Sequence, residues 1–317
     1  MSPWSMDPAG ARPSSESGFK YWLLAIRPRT LTIAIVPVLV GTSLSWSDTG
    51  SFAVSVLVAT LIVAVLIQVG TNLHNDVADF ERGGDDPATR LGPPRVTAQG
   101  WLPPATVRLA AQSSFASAFL VGCYLAWIGG WPILAIGLIA IAAGLAYTSG
   151  PRPIAYTGLG ELFVWLFFGL IAVGGSYYLQ AGLLSAAALV AGAIIGMPAA
   201  AVLVVNNYRD LDNDRKVGKQ TLAVTLGRRV SRVEYTLLML LPFVLFPFVY
   251  DQRTDEYWWF LPWLALPWAI VLIRRFWSEP PGPAFNQILA ATARFQFVFG
   301  LLLCSSFLAD PAFLNGV

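Results

Sequence analysis

The sequence has little charge, and this excludes several classes of protein. Only 12% of its 317 residues are Asp, Glu, Lys or Arg, which is about half of the roughly 25% typical of soluble domains. The formal net charge is +2, so the chain lacks the basic excess of nucleic-acid-binding proteins, and we expect no nucleic-acid partner. The scarcity of charge indicates that lipid, rather than water, solvates much of the chain.

Histidine and cysteine are also scarce. His74 is the single histidine, which excludes a metal site built from several histidines. The two cysteines, Cys123 and Cys304, lie inside long apolar runs. Neither has the C-x-x-C spacing of a zinc or redox site, so we interpret both as small packing residues.

Hydrophobic residues make up 56% of the chain and are grouped in stretches of roughly 18 to 25 residues, long enough to cross a bilayer. These stretches predict an all-α fold, a bundle of nine transmembrane helices. We expect a single transmembrane domain over residues 20–310, preceded by a disordered tail, rich in Pro, Ser and Gly, at residues 1–19. The predicted helices cover residues 22–46, 51–74, 104–127, 130–148, 155–178, 183–207, 233–250, 256–276 and 288–309.

Basic residues are distributed unevenly among the predicted loops. If the N-terminus lies in the cytoplasm, almost every Lys and Arg falls on the cytoplasmic side, and Arg253 alone falls on the other. Membrane proteins concentrate Lys and Arg in cytoplasmic loops. We therefore predict a multi-pass protein of the cell inner (plasma) membrane with a cytoplasmic N-terminus and an external C-terminus.

Two polar motifs interrupt the apolar pattern, and both lie on the cytoplasmic side. In the first motif, at the end of the second helix, Asn72, Asp76 and Asp79 have the i, i+4, i+7 spacing of a shared helix face. In the second motif, at the end of the sixth helix, Asn206, Asp210 and Asp214 have an i, i+4, i+8 spacing. Asn75 and Arg209 complete the two motifs.

Carboxylates are costly in a membrane helix, by about 2.5–3.5 kcal/mol each at its centre. Two carboxylate clusters that converge on one cavity repel each other unless a cation joins them. Oxygen ligands without His or Cys favour Mg²⁺ or Ca²⁺, and Mg²⁺ fills the rest of its shell with water and substrate phosphate. We therefore predict an Mg²⁺ site that serves a phosphate-bearing substrate. The alternative is a set of solvated helix ends. The predicted catalytic and metal-binding residues are Asp76, Asp79, Asp210 and Asp214.

Four basic residues flank these motifs: Arg90, Arg95, Arg209 and Lys219. Guanidinium groups suit diphosphate oxygens, although the topology of the membrane also accounts for these charges. A diphosphate carried into a membrane suggests a lipid diphosphate, whose cleavage leaves an allylic cation that aromatic rings stabilise. Tyr147 and Tyr156 are candidates for this role, with a lipid-facing position as the alternative.

Glu161 is the acid near the start of the fifth helix. An acid inside a membrane helix is a functional candidate. It binds or deprotonates an acceptor, or it hydrogen-bonds another helix; the sequence leaves both open.

At these residues the chain resembles the UbiA superfamily of intramembrane prenyltransferases. The resemblance rests on Asn75-Asp76-x-x-Asp79 and Asp210-x-x-x-Asp214, and the matching segments lie between residues 27 and 227. It implies nine helices, with Mg²⁺ and a prenyl diphosphate held by the two motifs. The residues to which this role carries over are Asn72, Asn75, Asp76, Asp79, Asp210 and Asp214.

Within that superfamily the chain looks most like the 1,4-dihydroxy-2-naphthoate polyprenyltransferases of menaquinone synthesis. The stretch Arg90-Leu-Gly-Pro-Pro-Arg95-Val-Thr-Ala-Gln-Gly100 carries this resemblance. It implies transfer of a polyprenyl group from polyprenyl diphosphate to dihydroxynaphthoate, with loss of CO₂ and diphosphate, to give demethylmenaquinone. The alternatives are another aromatic acceptor, such as 4-hydroxybenzoate or homogentisate, or a membrane transporter of an anionic metabolite.

Overall fold

The computed structural model describes residues 15–83, 90–249 and 257–309, and all of its regular elements in these ranges are helical. The first half of the bundle contains α1 to α5. The second half contains α6 to α11, in which α6 and α7 are joined by a π-helical turn at Leu166–Ile171. The helices are α1 (Ser15–Ile26), α2 (Pro28–Thr49), α3 (Val54–Glu81), α4 (Pro104–Gly129), α5 (Trp131–Ala146), α6 (Gly160–Trp165), α7 (Ala172–Ala181), α8 (Ala186–Lys216), α9 (Leu222–Leu245), α10 (Leu266–Ser278) and α11 (Phe285–Leu308).

The predicted all-α membrane fold is confirmed, whereas the predicted number of nine spans is not. Among the described residues, 8 helices are long and apolar enough to cross a membrane. The remaining predicted span, residues 130–148, corresponds to α5, which has 16 residues and is apolar. Helix α1 begins at Ser15, within the predicted tail of residues 1–19. Residues 1–14 and Arg253 lie outside the described residues.

The two helices that carry the polar motifs are longer than a bilayer requires. Helix α3 has 28 residues and α8 has 31, so at 1.5 Å per residue they are about 42 Å and about 46 Å long. The hydrocarbon core is about 30 Å thick. The excess length carries both motifs as continuous helix to one end of the bundle, which we call the polar end.

Helix α8 is the central element, because it is buried along most of its length. It packs against α2, α6, α9 and α11. Its approach to the π-helical turn is close enough to require glycine: a Cβ at Gly169 would lie 2.5 Å from the Gly192 carbonyl oxygen and 2.8 Å from the Gly196 Cα. Small residues allow membrane helices to approach closely in this way.

Large apolar side chains cover the outside of the bundle. Trp127 at the end of α4 is 89% exposed, and Trp131 at the start of α5 is 80% exposed. Aromatic residues of this kind are enriched at membrane interfaces. A cluster that includes Val56, Ile133 and Leu179 packs α3, α5 and α7 together at the end of the bundle opposite the polar motifs.

Candidate active site

One large cavity lies inside the bundle, with a volume of about 510 Å³. Its walls come from α2 to α8, from residues 90–95, which follow α3, and from Leu289 of α11. The polar end of the cavity is lined by Asn, Asp, Arg and Lys side chains. The rest is lined mostly by Ala, Val, Leu, Ile, Phe and Gly residues, with a few uncharged polar side chains such as Thr60 and Ser176 among them. The cavity therefore joins a charged mouth to a largely apolar interior.

The structure brings ten of the predicted site residues to this cavity. They come from both motifs, from the segment after α3 and from the segments that follow α5 and α8. These ten residues are Asn72, Asn75, Asp79, Arg90, Arg95, Tyr147, Asn206, Asp210, Asp214 and Lys219. The other four, Asp76, Tyr156, Arg209 and Glu161, lie outside the cavity lining.

The asparagines of motif one are held in place by neighbouring elements. Asn72 donates from Nδ2 to the Ile26 carbonyl at 2.8 Å and to Thr30 Oγ1 at 3.2 Å, which ties α3 to the junction of α1 and α2. Asn75 Oδ1 accepts a hydrogen bond from Thr148 at 2.7 Å. Each amide therefore has a fixed orientation at the cavity wall.

Asp76 points away from the cavity, into the segment that follows α3. Its carboxylate accepts hydrogen bonds from the Val96 amide at 3.3 Å, from the Thr97 amide at 3.0 Å and from the Thr97 hydroxyl. The side chain is 1% exposed. At about 100° per residue, Asp76 lies about 60° around the helix from Asp79, which is enough for residues 96–97 to occupy its face.

Asp79 is the acid of motif one that lines the cavity, and Arg95 compensates its charge. Arg95 Nη2 lies 2.7 Å from Asp79 Oδ2, with both side chains buried. The other oxygen, Oδ1, is buried and accepts no hydrogen bond from the described residues. Burying a carboxylate oxygen without a hydrogen bond costs free energy, and a bound cation would offset that cost.

In motif two, Arg209 forms a fork on the neighbouring acid. Its Nε lies 2.8 Å from Asp210 Oδ1 and its Nη2 lies 2.6 Å from Asp210 Oδ2, while Nη2 also donates to Asn206 Oδ1 at 2.8 Å. Arg209 is 2% exposed and lies behind the cavity wall. The arginine therefore orients two residues that do line the cavity.

Lys219 supplies a cation at the polar end. Its Nζ lies 3.3 Å from Asp214 Oδ1 and 5.0 Å from the centre of the Tyr156 ring. Burial disfavours its charged form, but the carboxylates of Asp214 and Asp79 outweigh this effect, so the pKa of Lys219 lies above its usual value. Tyr156 is also 5.5 Å from Arg82 on its ring face, so it contacts two cations from outside the cavity.

Glu161 lies next to the cavity rather than in it. Its Oε1 accepts a hydrogen bond from Asn207 Nδ2 at 2.7 Å, and Asn207 lines the cavity. Of the two readings that the sequence left open, the hydrogen bond to another helix is the one formed in this structure. The same carboxyl group also lines a small outer groove, together with Glu234 and Trp165.

Four further residues belong to the site, and sequence reasoning did not select them. Asn207 and Asn213 line the cavity within motif two, so their position in the motif was a usable signal. Arg27 also lines it, and its backbone is left-handed, with φ 59, a conformation that costs a non-glycine residue about 1–2 kcal/mol. The fourth residue, Asn286 of α11, forms hydrogen bonds with Arg209 and with the Leu91 carbonyl. It belongs to no recognisable sequence motif.

These residues fit a hard divalent cation. The donors at the polar end are carboxylate and amide oxygens, which suit Mg²⁺, and Asp79 Oδ1 lacks a hydrogen-bond partner among the described residues. Within the described ranges, no three His, Cys, Asp or Glu side chains form a complete metal cluster. A cation here would therefore need substrate oxygens and water to fill its shell.

The arrangement of helices is shared with solved membrane proteins. A UbiA homolog from Archaeoglobus fulgidus, bound to DMAPP and Mg²⁺, superposes with a TM-score of 0.64 over 90% of this chain and 99% of that one, at 17% sequence identity. A UbiA homolog from Aeropyrum pernix K1 gives a TM-score of 0.67 over 89% and 98%, at 15% identity. The fold is therefore that of an intramembrane helical bundle of the UbiA type.

Sequence comparison leads to the family. The model of the UbiA prenyltransferase family matches residues 34–307. The chain is 37% identical, over 80% of its length and 82% of the other protein, to the 1,4-dihydroxy-2-naphthoate octaprenyltransferase of Mycobacterium tuberculosis. The chain belongs to the UbiA prenyltransferase family, and the predicted family is confirmed.

Proposed function

We propose that the protein transfers a polyprenyl group from polyprenyl diphosphate to 1,4-dihydroxy-2-naphthoate, with release of diphosphate and CO₂. One observation carries the proposal: the oxygen donors of α3 and α8 meet at the polar end of a cavity whose other walls are mostly apolar. A molecule that fits this cavity has a strongly anionic head and a long hydrocarbon tail. Polyprenyl diphosphate has both.

Mg²⁺ is the cofactor that this donor set suits. Asp79, Asp210 and Asp214, the predicted metal-binding acids that line the cavity, would hold it together with diphosphate oxygens and water. When bound, the ion neutralises the charge that develops on the departing diphosphate. Asp76, the fourth predicted acid, contributes by holding residues 96–97, which follow Arg95 in the same segment.

The residues of the chain account for the steps around bond cleavage. Arg27, Arg95 and Lys219 place positive charge at the polar end, where the C–O electron pair leaves with the diphosphate. The allylic cation that remains lies in the apolar part of the cavity, where Phe163, Phe167 and Phe168 exclude water and offer aromatic faces. The ring carbon of the acceptor that bears the carboxylate then attacks, and the carboxylate leaves as CO₂.

The identity of the acceptor is supported by the curated relatives. The Escherichia coli 1,4-dihydroxy-2-naphthoate octaprenyltransferase is 35% identical over 89% of this chain and 92% of its own length, and the Mycobacterium tuberculosis protein has the same name. Their names also favour an enzyme over a transporter. Among the described residues, nearly all of the Lys and Arg side chains lie toward the polar end, so we further propose that this end faces the cytoplasm of a bacterial inner membrane.

A metal-dependence experiment tests this proposal. Purified protein in detergent is given polyprenyl diphosphate and dihydroxynaphthoate, with Mg²⁺ or with EDTA, and prenylated naphthoquinol and diphosphate are measured. We expect both products with Mg²⁺ and neither with EDTA. Product with 4-hydroxybenzoate or homogentisate instead would retain the mechanism and reject the acceptor. No diphosphate release with any acceptor would reject the enzyme.

A further inference from the structure

The first turn of helix α11 contacts both halves of the active site from behind the cavity wall. Asn286, the second residue of α11, is half-buried. Its Oδ1 accepts a hydrogen bond from Arg209 Nη1 at 2.7 Å, and its Nδ2 donates one to the Leu91 carbonyl at 2.8 Å. A single side-chain amide therefore joins motif two to the segment that follows motif one.

On the motif-two side, this amide completes the bonding of Arg209. The other guanidinium nitrogens are bonded to Asp210 and Asn206, both of which line the cavity. A guanidinium group is planar and rigid, so a group with all three nitrogens bonded has one orientation. Asn286 thereby helps to hold the guanidinium group that bonds both oxygens of Asp210.

On the other side, the segment after α3 rests directly on the same guanidinium. A Cβ added at Gly92 would lie 2.8 Å from Arg209 Nη2 and 3.2 Å from Arg209 Cζ, and the shorter distance is closer than Cβ atoms normally come to another heavy atom. Leu91, whose carbonyl Asn286 holds, lies between Arg90 and Gly92, and both Leu91 and Arg90 line the cavity. The contact at Gly92 is a second observation, independent of the amide, that this segment and motif two meet at Arg209.

The position of the amide is itself fixed by packing. Phe285, the preceding residue, is fully buried and stacks on Tyr208 with ring centres 4.9 Å apart. Phe276 of α10 packs against both rings, at 4.8 Å and 5.3 Å. Because Tyr208 precedes Arg209, this cluster holds the start of α11 beside motif two.

We propose that Asn286 is a positioning residue that sets the distance between the two substrate-binding halves of the active site. Through Arg209 it orients Asp210 toward the metal, and through Leu91 it holds the segment that carries Arg90 and Arg95 toward the diphosphate. The inference rests on the proposed function, in which those groups bind Mg²⁺ and a prenyl diphosphate. Asn286 itself touches neither.

Two substitutions separate the two hydrogen bonds. Asn286→Leu removes both, whereas Asn286→Asp keeps an oxygen for Arg209 and removes the donor to Leu91. The matched control is Gln287→Leu at the exposed neighbour, whose Oε1 accepts a hydrogen bond from Arg275. For each variant we would measure diphosphate release against Mg²⁺ concentration and against polyprenyl diphosphate concentration, together with the unfolding temperature in detergent.

We expect Asn286→Leu to raise the half-saturating Mg²⁺ concentration and the KM for polyprenyl diphosphate, each about tenfold, as the loss of a hydrogen bond to a charged group predicts. Asn286→Asp should raise that KM and leave the Mg²⁺ requirement near the wild-type value. The KM for the acceptor should not change, and Gln287→Leu should match the wild type. A fall in kcat or in folded protein, with no shift in Mg²⁺ requirement or in KM, would overturn the proposal.

A second measurement does not depend on turnover. Hydrogen exchange of the backbone amides in residues 90–103 should be faster in Asn286→Leu than in the wild type or in Gln287→Leu. Unchanged exchange there would also overturn the proposal. If the wild type released no diphosphate while exchange in this segment rose in Asn286→Leu, the proposed function would fail and the structural link would stand.

Discussion

Asp76 and Asp79 belong to one sequence motif, yet their positions predict different responses to the same substitution. In Asp76→Asn, one carboxylate oxygen is replaced by an amide NH₂ group. If the oxygen that remains keeps both bonds from Thr97, this NH₂ group faces the Val96 backbone amide, which is itself a donor. A hydrogen bond to a charged group contributes about 1.5–3 kcal/mol, so closure of residues 90–103 over the site should weaken by about 10-fold to about 150-fold.

Asp79→Asn removes charge from the cavity itself. The substitution leaves Arg95 beside a neutral amide and takes away the carboxylate oxygen that accepts no hydrogen bond from the described residues. We therefore expect the Mg²⁺ requirement to rise at least about tenfold, because a carboxylate is a far better ligand for Mg²⁺ than an amide. Asp76→Asn should instead raise the KM for polyprenyl diphosphate and change the Mg²⁺ requirement little.

The assay is diphosphate release in detergent, with Mg²⁺ titrated at saturating polyprenyl diphosphate and the lipid titrated at saturating Mg²⁺. Unfolding temperatures, measured in the same detergent, control for misfolding. The reasoning would be refuted if Asp76→Asn shifted the Mg²⁺ requirement as far as Asp79→Asn does. That result would mean that Asp76 leaves residues 96–97 and binds the metal.

Three other predictions follow from the cavity and its packing. Lys219→Met should lower kcat about 10²–10³-fold, as the loss of one group that stabilises transition-state charge does. The pKa of Lys219 is raised, so the side chain stays charged up to its usual pKa and loses its charge only above it. The pH–rate profiles of the wild type and of Lys219→Met should therefore have the same shape below pH about 10. Gly137 lines the cavity with open space before it, so Gly137→Phe should reduce turnover of long polyprenyl diphosphates while geranyl diphosphate is still used, and equal loss with both would contradict this. Gly169→Ala should lower stability by about 1–3 kcal/mol, since its Cβ would meet the α8 backbone at 2.5 Å; thermal unfolding should show no comparable loss in Gly137→Ala.

Much of the site could be predicted because its chemistry is local. Asn72, Asp79, Asn206, Asp210 and Asp214 lie on helices that are longer than the hydrocarbon core of a bilayer. Such helices bring polar residues at helical spacing to one end. The chain has one histidine and no cysteine in either motif, so the candidate metals are those that oxygen ligands suit. These inferences needed only helix periodicity and the cost of charge in lipid.

The roles of Asp76, Arg209 and Asn286 could not be predicted, since each depends on a partner distant in sequence. Asp76 and Asp79 are chemically alike, and their difference arises because residues 96–97 fold back onto one of them. Arg209 has a charge that would suit a diphosphate, but its guanidinium nitrogens are hydrogen-bonded to Asp210 and Asn286. Asn286 lies 77 residues from one of its partners and 195 from the other.

The sequence by itself determined that this is a helical membrane protein with two oxygen-donor motifs at one face, because hydropathy and helical spacing are properties of the chain alone. Only the tertiary structure decided which of those donors reach the cavity. That choice depends on how residues 90–103 and α11 pack against α3 and α8. Packing between segments far apart in the chain places the Asp79 carboxylate at the cavity and buries the Asp76 carboxylate against two backbone amides.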